Sequence, residues 1–242
     1  MSLPLFVVNE IPPGDEYTLD GPEGHHAAAV QRLRAGEELL LGDGRGGIAR
    51  AQVLEAAKAT LRLSIHERRH EPEPAPRIVV AQAIAKGDRG ELAVQAMTEV
   101  GVDEILPWAA ARSVAQWRGE RGFKARERWA ATAREAAKQA RRAWIPEIGG
   151  DPDVSTKQLA HRLGPHSFVL HNEAADRLST VDLPAGGEIV LVVGPEGGID
   201  DAEIQTFGAA GARPVRLGHT VLRTSTAGIA ALSVLATRLG RW

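Results

Sequence analysis

Five consecutive apolar residues, Ile189-Val190-Leu191-Val192-Val193, run straight into Gly194-Pro195-Glu196-Gly197-Gly198. A strand with one wetted face alternates apolar and polar side chains. An unbroken β-branched run bounded by glycines instead describes a strand buried on both faces, as in a parallel sheet covered by helices. Ligands of such sheets collect past the carboxyl ends of the strands. Further on, Leu217-Gly218-His219-Thr220-Val221-Leu222-Arg223-Thr224-Ser225-Thr226-Ala227 opens an apolar, Ala-rich segment. Two Gly-bearing loops at two strand ends predict two walls of one small-molecule site.

The residues around that strand keep the same grammar. Strands are expected over 77–83, 104–108, 167–171, 189–193 and 214–217. Helices are expected over 89–100, stopped by Gly101, over 126–142, over 200–207 with Asp200 as cap, and over about 226–239. This alternation predicts a mostly parallel sheet with helices on its faces. Alternating prolines in Glu71-Pro72-Glu73-Pro74-Ala75-Pro76 describe an extended connector, so the chain divides into 1–72 and 73–242. Ahead of the connector the signals are mostly β. The runs 39–41 and 48–53 flank Gly42-Asp43-Gly44-Arg45-Gly46-Gly47 as a hairpin, 60–65 alternates as a half-buried strand, and 25–33 reads as a short helix. Short strands at this spacing predict a small β-barrel or sandwich.

The chain is long enough, at 242 residues, to bury a substantial core, and its 25% charged and 43% hydrophobic residues are ordinary for a globular protein. It has no cysteine, which excludes disulfides and thiolate metal sites and fits a reducing cytoplasm. Met1-Ser2-Leu3-Pro4 leads into the strand-like Leu5-Phe6-Val7-Val8 without a basic region and long apolar run, so neither signal peptide nor membrane span is expected. The net charge of −2 hides an uneven distribution: between Arg112 and Arg142 lie ten basic residues against three acids. Such an element either holds a polyanion or presents a solvated helix face with Glu–Arg pairs.

The glycine loop after residue 193 is neither a P-loop with its Lys nor a G-x-G-x-x-G dinucleotide turn, and no such motif occurs elsewhere. NTP hydrolysis and Rossmann-type cofactor binding therefore lose their support. Glu196 is the loop's one ionisable group, able to meet a ligand or a helix N-terminus. Arg223 can hold a substrate anion or tie loop carbonyls together. Thr224, Ser225 and Thr226 are candidate caps for the last helix. The eight histidines lack ligand spacing, so no metal site is expected. In that helix Ile229, Leu232, Leu235 and Leu239 form a stripe that serves either as core or as a partner surface.

Taken together, the two glycine loops, Lys86-Gly87-Asp88-Arg89, Thr98-Glu99-Val100-Gly101-Val102, Arg112-Ser113-Val114, the Glu135-Ala136-Ala137-x-Gln139-x-x-Arg142 run before Pro146, and His25-His26 with Val30-x-Arg32-x-Arg34-x-Gly36 carry a resemblance over nearly the whole length. The chain resembles the small-subunit (16S) rRNA uracil-N3 methyltransferases, RsmE-like members of the SPOUT superfamily. It departs from their usual pattern at Ala96, Ala111 and Ser225. The resemblance implies an α/β protein with an N-terminal PUA-like β-barrel and a C-terminal trefoil-knotted SPOUT methyltransferase domain. It implies a cytoplasmic homodimer that uses S-adenosyl-L-methionine to methylate N3 of one uridine in 16S rRNA of the small ribosomal subunit.

On that basis the methyl donor is expected against Leu170, His171, Gly194, Pro195, Glu196, Gly197, Gly198, Leu217, Gly218, Val221, Leu222, Thr226 and Ala227. Arg112, Glu196 and Arg223 are the catalytic candidates. Arg32, Arg34, Lys86, Arg126, Arg128, Arg134, Lys138, Arg141 and Arg142 are expected to hold rRNA phosphates. Set against this stands an RNA-binding protein without catalysis, which would have no use for an intact donor loop.

Overall fold

The structure is a computed structural model that describes residues 3–242; Met1 and Ser2, the start of the N-terminal reading above, lie outside the described residues. The chain forms two compact units. One comprises the residues up to Glu73 together with Ala137–Ile145, the other Pro74–Ala136 with Pro146–Trp242.

The first unit is a curled five-stranded sheet. Its strands are β1 (Leu5–Val7), β2 (Glu16–Leu19), β3 (Glu38–Gly42), β4 (Gly47–Ala56) and β5 (Leu61–His70), in the order β1-β3-β4-β5-β2. β1 runs parallel to β3 and every other pair is antiparallel. Phe6 from one edge strand and Leu19 from the other meet Leu39, Leu41, Ala51, Val53 and Leu63 in a single buried cluster, so the sheet closes around its own apolar face. The expected hairpin joins β3 to β4. Asp43 accepts hydrogen bonds from the amides of Arg45 and Gly47. Gly46 has φ +95°, and a Cβ there would stand 2.6 Å from the Glu71 carbonyl; only glycine fits both demands.

The helix expected over 25–33 begins earlier, at α1 (Gly21–His25), with a proline in its first turn, and continues as one π turn (His26–Val30). β2, a short edge strand of mixed polarity, carried no pattern strong enough to be expected. Residues 137–145 join this unit through local pairing. The Gly46 amide donates to the Ala143 carbonyl at 3.0 Å, the Ile145 amide to the Gly44 carbonyl at 3.1 Å, and the Trp144 indole N–H to the Glu71 carbonyl at 3.0 Å.

The second unit is the expected helix-covered parallel sheet. In chain order it contains β6 (Arg77–Ala83), α2 (Arg89–Val100), β7 (Glu104–Ala109), α3 (Gly119–Gln139), β8 (Glu147–Ile148), β9 (Val154–Ser155), α4 (Thr156–Ala160), β10 (Ser167–Leu170), β11 (Glu188–Val193), α5 (Asp201–Ala209), β12 (Arg213–Val215) and α6 (Thr224–Arg238). The last residues of α3 belong to the first unit. The strand order is β12-β10-β11-β6-β7-β8, with β9 also against β7, and every pair is parallel.

The apolar run of β11 is buried on both sides. Ile189, Leu191 and Val193 join one core with Val94, Met97, Leu232 and Leu235; Val190 and Val192 join the opposite core with Ile199 and Phe207. The stripe on α6 is therefore core at Leu232 and Leu235, whereas Ile229 and Leu239 are only partly buried beside it. α3 starts seven residues before the expected 126 and stops three short of 142. Arg141 takes φ +54°, and the Arg142 amide turns back to the Ala137 carbonyl at 2.9 Å, which ends the helix.

An ionic clamp closes the amino edge of this sheet. Arg162 donates bidentately to Glu104, the first residue of β7, at 2.7 and 2.6 Å, and to Glu188, the first of β11, at 3.1 and 2.8 Å. Arg77, which opens β6, stands 3.5 Å from the same Glu104. The hydrogen bonds to Glu104 and Glu188 hold the Arg162 guanidinium well above its ordinary range. The loops gather at the opposite, carboxyl edge.

Candidate functional site

A cavity of 620 Å³ opens where β10, β11 and β12 end: Leu170, Val193 and Val215 close those three strands and all three line it. The site therefore follows from the sheet, because a parallel strand buried on both faces delivers its following loop to the rim. The two glycine loops do form two of its walls. Of the residues expected there, Leu170, His171, Gly194, Pro195, Glu196, Gly198, Leu217, Gly218, Val221, Leu222 and Ala227 line the cavity, together with Arg112 and Arg223.

Gly197 and Thr226 do not. A Cβ at Gly197 would approach the Arg112 Cβ to 3.1 Å, so this glycine admits a neighbouring side chain rather than a ligand. The Thr226 hydroxyl donates back to the Arg223 carbonyl at 3.2 Å. Arg89, Asn172, Ile199, Arg216 and Thr224 line the cavity without having been singled out for it. Asn172, Ile199, Arg216 and Thr224 adjoin expected residues in the chain, whereas long-range packing brings in Arg89.

The loop at 217–222 carries the most telling feature. Among the described residues, none of its backbone amides or carbonyls bonds to another group of the chain, and residues 219–222 are exposed. Val221 and Leu222 are 78% and 39% exposed. The cavity thus presents a row of free backbone donors and acceptors between apolar side chains.

Thr224 fastens this loop to the sheet. Its hydroxyl accepts from Gln82 Nε2 at 3.0 Å and donates to the Gly194 carbonyl at 2.8 Å. Gln82, fully buried, lies in β6. One hydroxyl therefore joins the start of α6, the sheet core and the first glycine of the other loop. This corrects the capping expectation: the cap position is Arg223, and no side chain caps the helix.

Glu196 accepts from the Lys86 amide at 3.3 Å and from the Arg89 guanidinium at 3.1 Å. Burial pushes its carboxyl up, but its own amide, the Lys86 amide and Arg89 outweigh that and hold it below the usual carboxylate range. Arg112 pairs with Asp200, the cap of α5, at 3.0 Å, and reaches the Gly197 carbonyl at 3.4 Å. The exposed Arg223 side chain has no hydrogen bond or ion pair among the described residues.

The cations expected to face RNA divide into two groups. Arg32, Arg34, Lys86, Arg128, Arg134 and Arg141 are exposed and Arg142 is half-buried. Lys138 is different: 6% exposed, it pairs with Glu23 at 2.8 Å, beyond the reach of a phosphate. Arg126 is half-buried and donates to the carbonyls of Ile148 and Gly149, stapling the end of β8. These two leave the RNA-facing set, because in each case a buried or half-buried acceptor of the chain itself has taken the charge.

Two family models match. One, described as an RNA methyltransferase domain, covers residues 71–236; the other, described as an RNA methyltransferase PUA domain, covers 19–65. The chain is 44% identical to ribosomal RNA small subunit methyltransferase E of Mycobacterium tuberculosis, over 98% of this chain and 93% of that protein. It is 30% identical to the Bacillus subtilis protein of the same name, over 91% and 89%. A methyltransferase of Legionella pneumophila, solved with the cofactor SAM bound, superposes with a TM-score of 0.86 at 30% identity, covering 98% of both chains. A ribosomal RNA small subunit methyltransferase E of Neisseria gonorrhoeae bound to S-adenosyl methionine gives 0.85 at 27% identity, again over 98% of both.

Proposed function

The chain belongs to the ribosomal RNA small subunit methyltransferase E family and is an S-adenosylmethionine-dependent rRNA methyltransferase, and from that premise we propose how its residues methylate N3 of a uridine in 16S rRNA. The cavity fits the donor. Its free backbone groups at 217–222 offer hydrogen bonds to an adenine ring and to a methionine arm, while Leu170, Leu217, Val221, Leu222 and Ala227 supply apolar contact. That row of unspent backbone groups is the observation on which the reading rests. The donor supplies an electrophilic methyl group on a sulfonium. The chain's contribution is to hold the uridine in line with that group, which removes much of the entropic barrier.

Uracil N3 must give its proton to water before it accepts a methyl group, and the negative charge then spreads to O2 and O4. Arg223 has an unengaged guanidinium on the cavity wall and is assigned to stabilise that charge. Arg112 is assigned to positioning, because Asp200 and the Gly197 carbonyl occupy it. Glu196, ionised and bonded to Lys86 and Arg89, is assigned to shaping the donor loop, not to taking the proton. Arg32, Arg34, Lys86, Arg128, Arg134, Arg141 and Arg142 are assigned to rRNA phosphates, and the target base leaves its stack to enter the cavity.

Among the described residues no helix is long and apolar enough to cross a membrane. A homodimer working in the cytoplasm completes the proposal. The deciding experiment incubates the protein and labelled S-adenosylmethionine with methylation-deficient small subunits and maps the product. Label at N3 of a single uridine is expected; label on ribose, on another base, or nowhere overturns the assignment.

A further inference from the structure

A second cavity, of 380 Å³, shares a wall with the first. The segment between Ala85 and Glu91 separates them: Arg89 faces the donor cavity, while its neighbours Asp88 and Gly90 line the other. The Lys86 amide and Arg89 also bind Glu196 of the donor loop, which makes the dividing wall firm.

We propose that this second cavity is a stacking subsite for a nucleotide flanking the target uridine, one whose base carries an exocyclic amine. The inference rests on the rRNA methylation reading above. Trp117, half-buried, lines the cavity and packs edge-on against Trp129, with ring centroids 4.9 Å apart and planes at 75°. Trp129 is itself 2% exposed, so it holds the Trp117 ring in one orientation. A Cβ at Gly90 would stand 2.7 Å from the Trp129 ring, so glycine at that place in α2 is what lets the indole lie there. A fixed, part-exposed indole is a platform on which a base can stack.

The rim chooses among bases. Asp88 occupies the cap position of α2 without capping it, and its exposed carboxylate bonds no other described residue. Glu91 also lines the cavity and, among the described residues, has Arg128, 3.6 Å away, as its ionic partner. Carboxylates accept hydrogen bonds and donate none. Adenine, cytosine and guanine offer an exocyclic amine to them, whereas uracil offers only its imide N3–H, flanked by two carbonyl oxygens that the carboxylates repel. Arg128, 65% exposed at its side chain, is placed for the adjoining phosphate. The subsite therefore selects the neighbour, and the shared wall delivers the uridine beside it to the donor cavity.

The test uses the full-length protein, a fluorescent single-stranded RNA bearing the target uridine, and small subunits. In one RNA series the flanking base is adenine; in the other it is purine, which lacks the amine. Trp117→Ala should weaken RNA binding and raise KM for subunits roughly ten-fold, the scale of a lost stacking contact. Its kcat and its calorimetric affinity for S-adenosylmethionine should stay at the wild-type values, and Trp117→Phe should restore binding. Loss of the amine should weaken binding to wild type more than to Asp88→Ala, which has no acceptor there. If Trp117→Ala does not fold, the Asp88→Ala comparison decides alone. Equal sensitivity of both proteins to the amine overturns the proposal, as does a folded Trp117→Ala with unchanged RNA affinity. A wild-type protein inactive on every subunit removes the methylation reading itself, and the subsite with it.

Discussion

Arg223 and Glu196 share one cavity, yet their surroundings assign them different work. Arg223 is uncommitted, so replacing it removes charge stabilisation without collapsing a network. Arg223→Ala should lower methylation about a hundredfold, the usual cost of one lost donor to a developing anion, while calorimetry finds donor affinity nearly unchanged. Equal loss in both measurements would make Arg223 a donor-binding residue. Glu196 has a carboxyl held below the ordinary value of 4.5 by Lys86 and Arg89. A lowered folded-state value adds stability at pH above about 4.5, and that stability disappears as pH falls through the folded value. Thermal unfolding should show wild type above Glu196→Gln at neutral pH and the two converging in acid. A gap independent of pH would place the Glu196 contribution in packing. Lys138 offers a contrast: Lys138→Ala should destabilise the fold by about 3 kcal/mol, because it strands Glu23 partly buried. Denaturant unfolding measures this, and a variant that keeps its stability but loses RNA affinity would return Lys138 to the RNA surface.

Elements meet at the site through single side chains. Among the described residues the Thr224 hydroxyl links Gln82 of β6 to the Gly194 carbonyl, and it sits in the first turn of α6. Thr224→Val preserves shape but leaves both partners without their bond, which costs roughly 1–3 kcal/mol. The same variant should bind the methyl donor more weakly, since the 217–222 loop loses its tether. Denaturant unfolding with donor titration checks both; a stable variant with weak donor binding would assign Thr224 to ligand contact alone. At the opposite edge of the sheet, Arg162, Glu104 and Glu188 join three segments distant in sequence. The donor cavity lies at the other, carboxyl edge.

At the scale of the whole molecule, charge is the property that matters. The exposed arginines and Lys86 act additively, so affinity for small subunits should fall steeply and linearly in log–log form with salt. Binding insensitive to salt would refute the phosphate assignment. How much of the molecule was legible beforehand depended on the range of the interactions involved. The both-face burial of β11 is written in five consecutive residues. The bounds of α2, up to the positive φ of Gly101, are written in a helix pattern followed by glycine. The glycine loops could be recognised because their conformational demands leave few residues permitted. By contrast, β2, β8 and β9 are short pieces formed by their partners, and no local pattern marks them; α4 is as short, but its Ser155–Gln158 capping box is written locally.

Sequence alone determined the helix-covered parallel sheet and the two glycine loops that wall the cavity, since periodicity and glycine placement are local properties; methyl transfer came through the family resemblance that the order of the motifs carries. Tertiary structure decided which charges are drawn to acceptors inside the fold. Lys138 and Arg126 read like their neighbours in a basic run, but folding brings Glu23 to one and the carbonyls of Ile148 and Gly149 to the other. Whether a charge faces solvent or a buried acceptor depends on residues far away in the chain, and composition carries no record of that distance.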